Sequence, residues 1–119
     1  MNHINYITLG LLLIGAHAIG DYALQSEYIA REKTKSLYVL FIHAMIWTTV
    51  IVYMWAVCGY SLNPYQILVI LFIPHFIMDY CKAQSKWFPK LIKNPKVQLT
   101  IDQSFHYMQL ITLIYFTAK

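Results

Sequence analysis

Four stretches of this chain have the length and apolarity that a helix needs to cross a bilayer, roughly 20 residues each. They cover residues 4–24, 37–58, 65–81 and 97–118 and leave little chain between them. The composition agrees: 59% of the 119 residues are hydrophobic and 12% charged, against about 45 to 50% and about 25% in an ordinary soluble domain. So short a chain has too few polar residues to cover one soluble core, so the excess apolar surface must face lipid. The 16% aromatic content suits anchoring at membrane interfaces. These features exclude a water-soluble monomer and intrinsic disorder. They predict an all-α protein, a four-helix transmembrane bundle forming one integral membrane domain over residues 1–119.

The charges set the topology. Arg31, Lys33 and Lys35 fall in the first connection, and Lys82, Lys86, Lys90, Lys93 and Lys96 in the third. The second connection, GYSLNP, has no Lys or Arg, and only Lys119 lies beyond the last span. Positive residues favour the cytoplasmic side, which places both charged connections inside and both termini, with His3, outside. The net charge of +4 thus belongs to topology, and no nucleic acid is expected as a partner. In the third connection lysines alternate with Trp87, Phe88, Leu91 and Ile92, a pattern for lying among anionic lipid headgroups. The sharper reading of the same segment is a gate for a lipid-like substrate. Ala16-His17-Ala18 has a small-x-small form, but no positive charge precedes it and three more spans follow, so it reads as part of a span rather than a signal-peptide cleavage site. Cys58 and Cys81 fall at opposite ends of neighbouring spans, too far apart for a disulfide within one chain. Pro74 removes a backbone donor and should kink the third helix just before His75.

All three aspartates, Asp21, Asp79 and Asp102, fall within or at the edge of apolar spans. Each costs roughly 2.5 to 3.5 kcal/mol at the centre of a membrane helix, so something must compensate them. Each also has a histidine four residues away: His17 with Asp21, His75 with Asp79, and His106 with Asp102. That spacing puts both side chains on one helix face, one turn apart. In an antiparallel bundle the three pairs and His43 lie at one depth, near the cytoplasmic end, where facing helices bring side chains within coordination reach. Three readings compete. Imidazoles and carboxylates can ligate one or two divalent ions such as Zn, Mn or Fe; a structural zinc contributes on the order of 10 to 16 kcal/mol, enough to offset the insertion cost. The same groups could instead relay protons or ions, or form a purely structural hydrogen-bond network. His43 has no carboxylate one turn away and could be an orienting donor. Gln25, Lys82 and Gln103 stand beside the cluster as candidate substrate contacts, Lys82 suiting a phosphate. Lys82 also reads as a topological anchor and Gln25 as a helix cap. Gly20 permits close helix approach, and Gly10 and Gly15 suggest a packing face.

The string His17-x-x-Gly20-Asp21-x-x-Leu24-Gln25, followed by Lys33 or Lys35, His43, His75-x-x-x-Asp79-x-x-Lys82 and Asp102-Gln103-x-x-His106, resembles a family of small multi-pass bacterial and phage membrane proteins. That family is classed as a domain of unknown function, sometimes encoded beside regulatory proteins; the resemblance implies the fold and no reaction. A looser similarity, in chemical logic alone, is to small membrane-bound metal-dependent hydrolases.

The expected function is accordingly a metal-dependent hydrolase of the bacterial inner membrane. Asp21, Asp79 and Asp102 are its candidate catalytic carboxylates, and an amphiphilic phosphate-bearing compound its expected substrate class. The rivals are a small transporter or channel for a metal ion, proton or polar solute, and a structural or signalling membrane partner. The outer halves of the spans are almost wholly apolar, which favours a closed site, although a homo-oligomer could make a pore at its subunit interface.

Overall fold

The computed structural model describes residues 4–85 and 87–118; His3, Lys86 and Lys119 lie outside the described residues. Every regular element among the described residues is helical. Helix α1 (Tyr6–Ala18) starts at Asn5, whose side chain accepts from the Thr8 N–H at 2.8 Å, and runs into a wider π-helical turn, Ile19–Ala23. The first charged connection folds into a short helix, α2 (Glu27–Glu32), capped by Ser26. Ser36 caps α3 (Leu37–Val57). The third run begins as α4 (Pro64–Gln66), where Asn63 and Gln66 cap each other reciprocally. It widens into π turns over Ile67–Phe72 and continues as α5 (Ile73–Ala83). The second charged connection holds α6 (Trp87–Leu91), with Phe88 buried and Trp87 and Leu91 exposed. Asn94 caps α7 (Pro95–Thr117), and Pro95 sits where its missing N–H costs nothing. Because α7 starts before residue 97, Asp102 lies about two turns in rather than in the first turn.

Three runs, Tyr6–Ala23, Leu37–Val57 and Pro64–Ala83, are long and apolar enough to cross a membrane, as in a multi-pass membrane protein. Helix α7 is long enough at 23 residues but is less apolar than those three, because Gln98, Asp102, Gln103, His106 and Gln109 interrupt it. The four long helices pack in a ring: α1 lies against α3 and α7, and α5 against the same two. Leu9, Leu13, Trp47, Ile51, Trp55, Leu71, Leu110 and Leu113 fill the half of the ring away from the charged connections. The outward side chains include Ile7, Leu11, Tyr53, Tyr65, Met108, Ile111 and Tyr115, an apolar exterior suited to lipid. The Tyr6 hydroxyl lies 3.4 Å from the Ala118 carbonyl oxygen, so both ends of the described chain meet at the dry end. Cys58 and Cys81 are free thiols.

Pro74 explains one buried polar residue. Having no N–H, it offers nothing to the carbonyl of Ile70 one turn earlier, just where the helix widens. The Gln109 side-chain amide supplies the missing donor across the bundle, 2.8 Å from the Ile70 oxygen and 2.6 Å from that of Leu71. Replacing Gln109 by Leu should therefore destabilise the fold by about 1 kcal/mol in detergent unfolding. The loss should shrink when Pro74→Ala restores the donor; an equal loss in both backgrounds would contradict this account.

Candidate metal centre

The site is assembled where the four long helices meet at the end bearing α2 and α6. Asp21 sits in the π turn that ends the first long helix, with its carboxylate 3.8 Å from His17 on the same helix. His43 projects from α3 between two carboxylates: its Nε2 lies 3.1 Å from Asp21 Oδ1 and 2.9 Å from Asp79 Oδ2. On α5, His75 Nε2 is 3.4 Å from Asp79 Oδ2. On α7, His106 Nε2 is 3.1 Å from Asp102 Oδ1 and 3.6 Å from Asp79 Oδ1. All seven side chains are buried, with Asp21 the most exposed at 7%. The three helical pairs and the solitary His43 thus converge in one cluster.

Two ligand-capable sets emerge, Asp21–His43–His75–Asp79 and Asp21–Asp102–His106, sharing the carboxylate of Asp21. In each, one oxygen or ring nitrogen per residue lies within 4.8 Å of all the others. The first set carries the stronger sign of an ion. His75 Nε2 and Asp79 Oδ2 are buried and have no hydrogen-bond partner, although neighbouring nitrogens and oxygens lie within 3.4 Å. Buried polar atoms are nearly always paired. Atoms that crowd one another without aligning are disposed as ligands around a common point are, so the residues present fit a divalent cation.

Around the cluster runs an orienting chain. The Trp47 indole N–H donates to His17 Nδ1 at 2.8 Å. A neutral His17 must then carry its hydrogen on Nε2, which donates to Gln103 Oε1 at 2.8 Å. The Gln103 amide in turn donates to Asp102 Oδ2 at 3.2 Å. His17, expected as a ligand, is thereby engaged at both nitrogens and belongs to neither ligand set. Gln103 acts on Asp102, and Lys82 Nζ donates to the same carboxylate at 2.8 Å. Gln25 stands apart: its buried side-chain oxygen has no partner, and it does not line the cavity over the cluster.

Two further residues join the site: Trp47, to which the sequence assigns no role, and Lys33, expected only as a charge of the first connection and a position of the family string. Trp47 stacks on His75, ring centroids 4.1 Å apart and planes 9° from parallel, besides holding His17. Its spacing of four residues from His43 was the available signal. Lys33 at the end of α2 reaches back to within 3.5 Å of His43 Nε2 and 3.8 Å of Asp79 Oδ2. The Gln84 amide fixes that loop by donating to the Lys33 carbonyl at 2.8 Å. A cavity of about 230 Å³ opens over the cluster, lined by Lys33, Thr34, Asp79, Lys82, Ala83 and Gln98.

Fold and site together define a helical protein with candidate membrane spans and a buried His/Asp cluster able to hold a metal ion. The chain belongs to the family described as protein of unknown function (DUF3307), which it matches over residues 8–119. No curated protein and no solved structure matches it.

Gly20 makes the Trp47 contact possible. A Cβ there would lie 3.1 Å from both Trp47 Cα and Cδ1, tighter than ordinary packing allows. Gly20→Ala should cost about 1 to 3 kcal/mol of stability and shift the tryptophan near-UV signal. Gly10→Ala, where nothing lies within 4 Å of the added carbon, should leave both unchanged. Indistinguishable behaviour of the two variants would remove the packing role assigned to Gly20.

Proposed function

We propose that this chain is a four-span metalloprotein of the bacterial inner membrane that hydrolyses a phosphate-bearing amphiphile at the cytoplasmic leaflet. Helix α7 is the fourth span in this reading, the lysine-bearing connections lie inside, and both termini lie outside. The observation that carries it is the cavity over the cluster: one wall is Asp79, from the ligand-capable set, and Lys33 and Lys82 stand beside it. An ion held by Asp21, His43, His75 and Asp79 would lower the pKa of a bound water towards 7 and polarise a phosphoryl oxygen. Two ammonium groups beside it suit the charge of a phosphate and would stabilise more strongly as that charge grows. Helix α6 leaves Trp87 and Leu91 outward with Lys90 between them in sequence, suited to lying among anionic headgroups beside this opening.

The closed half of the bundle supports hydrolysis over transport. Beyond His17 and Trp47 the interior is filled mainly by Leu9, Leu13, Ile51, Trp55, Leu71, Leu110 and Leu113, none more than 3% exposed, around two buried polar side chains, Thr48 and Gln109. Among the described residues this packing sets a mostly apolar barrier between the cluster and the far end of the bundle.

Purified protein in micelles, supplied with Zn or Mn, should release phosphate from a long-chain alkyl phosphate monoester. Chelation should abolish turnover. Asp79→Asn should lower kcat by at least about 100-fold, and Lys82→Ala should act mainly by raising KM. Metal-loaded protein that is inert to alkyl phosphates and acyl esters, yet carries labelled metal ions into proteoliposomes, would overturn hydrolysis in favour of transport.

A further inference from the structure

The two ligand-capable sets are joined by a contact between imidazoles that decides how they can be used. His75 Nδ1 and His106 Nδ1 face each other at 3.3 Å, both rings fully buried, in hydrogen-bonding geometry. One of these nitrogens must carry a hydrogen and the other a lone pair. A neutral imidazole has one N–H, so the ring that donates through Nδ1 keeps a lone pair on Nε2, and the ring that accepts carries hydrogen there. While this bond holds between neutral rings, only one of the two histidines can offer Nε2 to an ion.

The surroundings choose which. His106 Nε2 is aligned with Asp102 Oδ1 at 3.1 Å, and a carboxylate accepts only, so the hydrogen belongs on His106 Nε2. In a neutral His106 the Nδ1 is then the acceptor, and His75 Nδ1–H the donor. His75 Nε2 is left with its lone pair, buried and unpartnered, 3.4 Å from Asp79 Oδ2, which makes no aligned hydrogen bond although His43 Nε2 lies 2.9 Å and the Lys33 ammonium 3.8 Å away. Two electron pairs brought to 3.4 Å in the interior favour a cation between them, nearer than the Lys33 ammonium at 3.8 Å from Asp79. Asp102 is in the opposite condition: His106, Gln103 and Lys82 all donate to it, leaving it no comparable need of a metal.

We infer that the cluster is a single-ion centre ligated by Asp21, His43, His75 and Asp79, with the Asp102–His106 pair acting as the hydrogen-bond support of His75. It rests on the metal-binding half of the reading above and adds the number of ions and the part that Asp102 and His106 play. An ion on His43 Nε2 would take the place of the hydrogen shared with Asp21 Oδ1, and the neutral ring would carry its hydrogen on Nδ1 instead. The Lys33 ammonium, 3.8 Å from Asp79 Oδ2 and 3.5 Å from His43 Nε2, lines the cavity beside this ligand set. His106 is a positioning residue here: it holds the His75 ring in the tautomer that presents Nε2, as carboxylates and carbonyls do for ligating histidines generally.

The test is metal content and affinity of the full chain in micelles, loaded with Zn²⁺ for elemental analysis or Co²⁺ for visible absorption. One ion per chain is expected, lost on His75→Ala or Asp79→Asn. His106→Ala should keep the one-ion stoichiometry but weaken binding on the order of 10- to 100-fold. His106→Asn, whose side-chain oxygen can accept from His75 Nδ1, should recover much of that loss and restore the Co²⁺ spectrum. Two ions per chain, or loss of the ion on Asp102→Asn as complete as on Asp79→Asn, would overturn the assignment while leaving metal binding intact. A chain that takes up no ion would overturn both. One ion without turnover of any phosphate ester would sink hydrolysis and support the ligand set. The wild-type stoichiometry decides the main point even where a variant fails to fold.

Discussion

Three carboxylates in one buried layer are the constraint on which the rest of this molecule depends. Asp21, Asp79 and Asp102 are each at most 7% exposed, on helices whose outer faces are apolar. Isolated charges in such surroundings are strongly disfavoured, and these lie close enough to repel one another. Lys33 and Lys82 come within 3.8 Å of Asp79 and 2.8 Å of Asp102, which leaves one negative charge without a lysine. Asp21 has no lysine within salt-bridge range among the described residues and leans on His43 instead. Asp21, belonging to both ligand-capable sets, is where added positive charge would relieve most repulsion.

The scaffold divides accordingly. One half of the ring is dry and packed by leucines, isoleucines and tryptophans; the other is polar and opens beneath the lysine-bearing connections. Trp47 stands on the boundary, packed in the dry core yet stacking on His75 and donating to His17. Such a residue lets rigid packing dictate the orientation of ring nitrogens, which is what a centre of fixed geometry requires. The π turn at Ile19–Ala23 carries Asp21 itself, consistent with the tendency of such wide turns to occur at functional sites.

Much of this was legible in the residues alone. Hydropathy located the four long helices to within a few positions, and the four-residue spacing of three His/Asp pairs, with His43 at matching depth, marked the cluster. Periodicity reports which face a side chain occupies, not which atom of it meets which neighbour. For that reason His17 looked equivalent to His75, although Trp47 and Gln103 occupy both of its nitrogens. Lys33 looked like a topological anchor, because nothing local reveals that α2 folds back over His43. The proline was readable as a kink. That Gln109 would repair it from another helix was not, since the two are 35 positions apart.

X-ray absorption at the zinc edge of the metal-loaded full chain reads the ligands of the ion themselves. The expected result is a shell of nitrogen and oxygen at about 2.0 to 2.2 Å, four protein atoms with a fifth position for water, and the outer scattering of two imidazole rings, from His43 and His75. A sulfur neighbour at about 2.3 Å, which would implicate Cys81 or Cys58, or a shell without imidazole scattering, would contradict it.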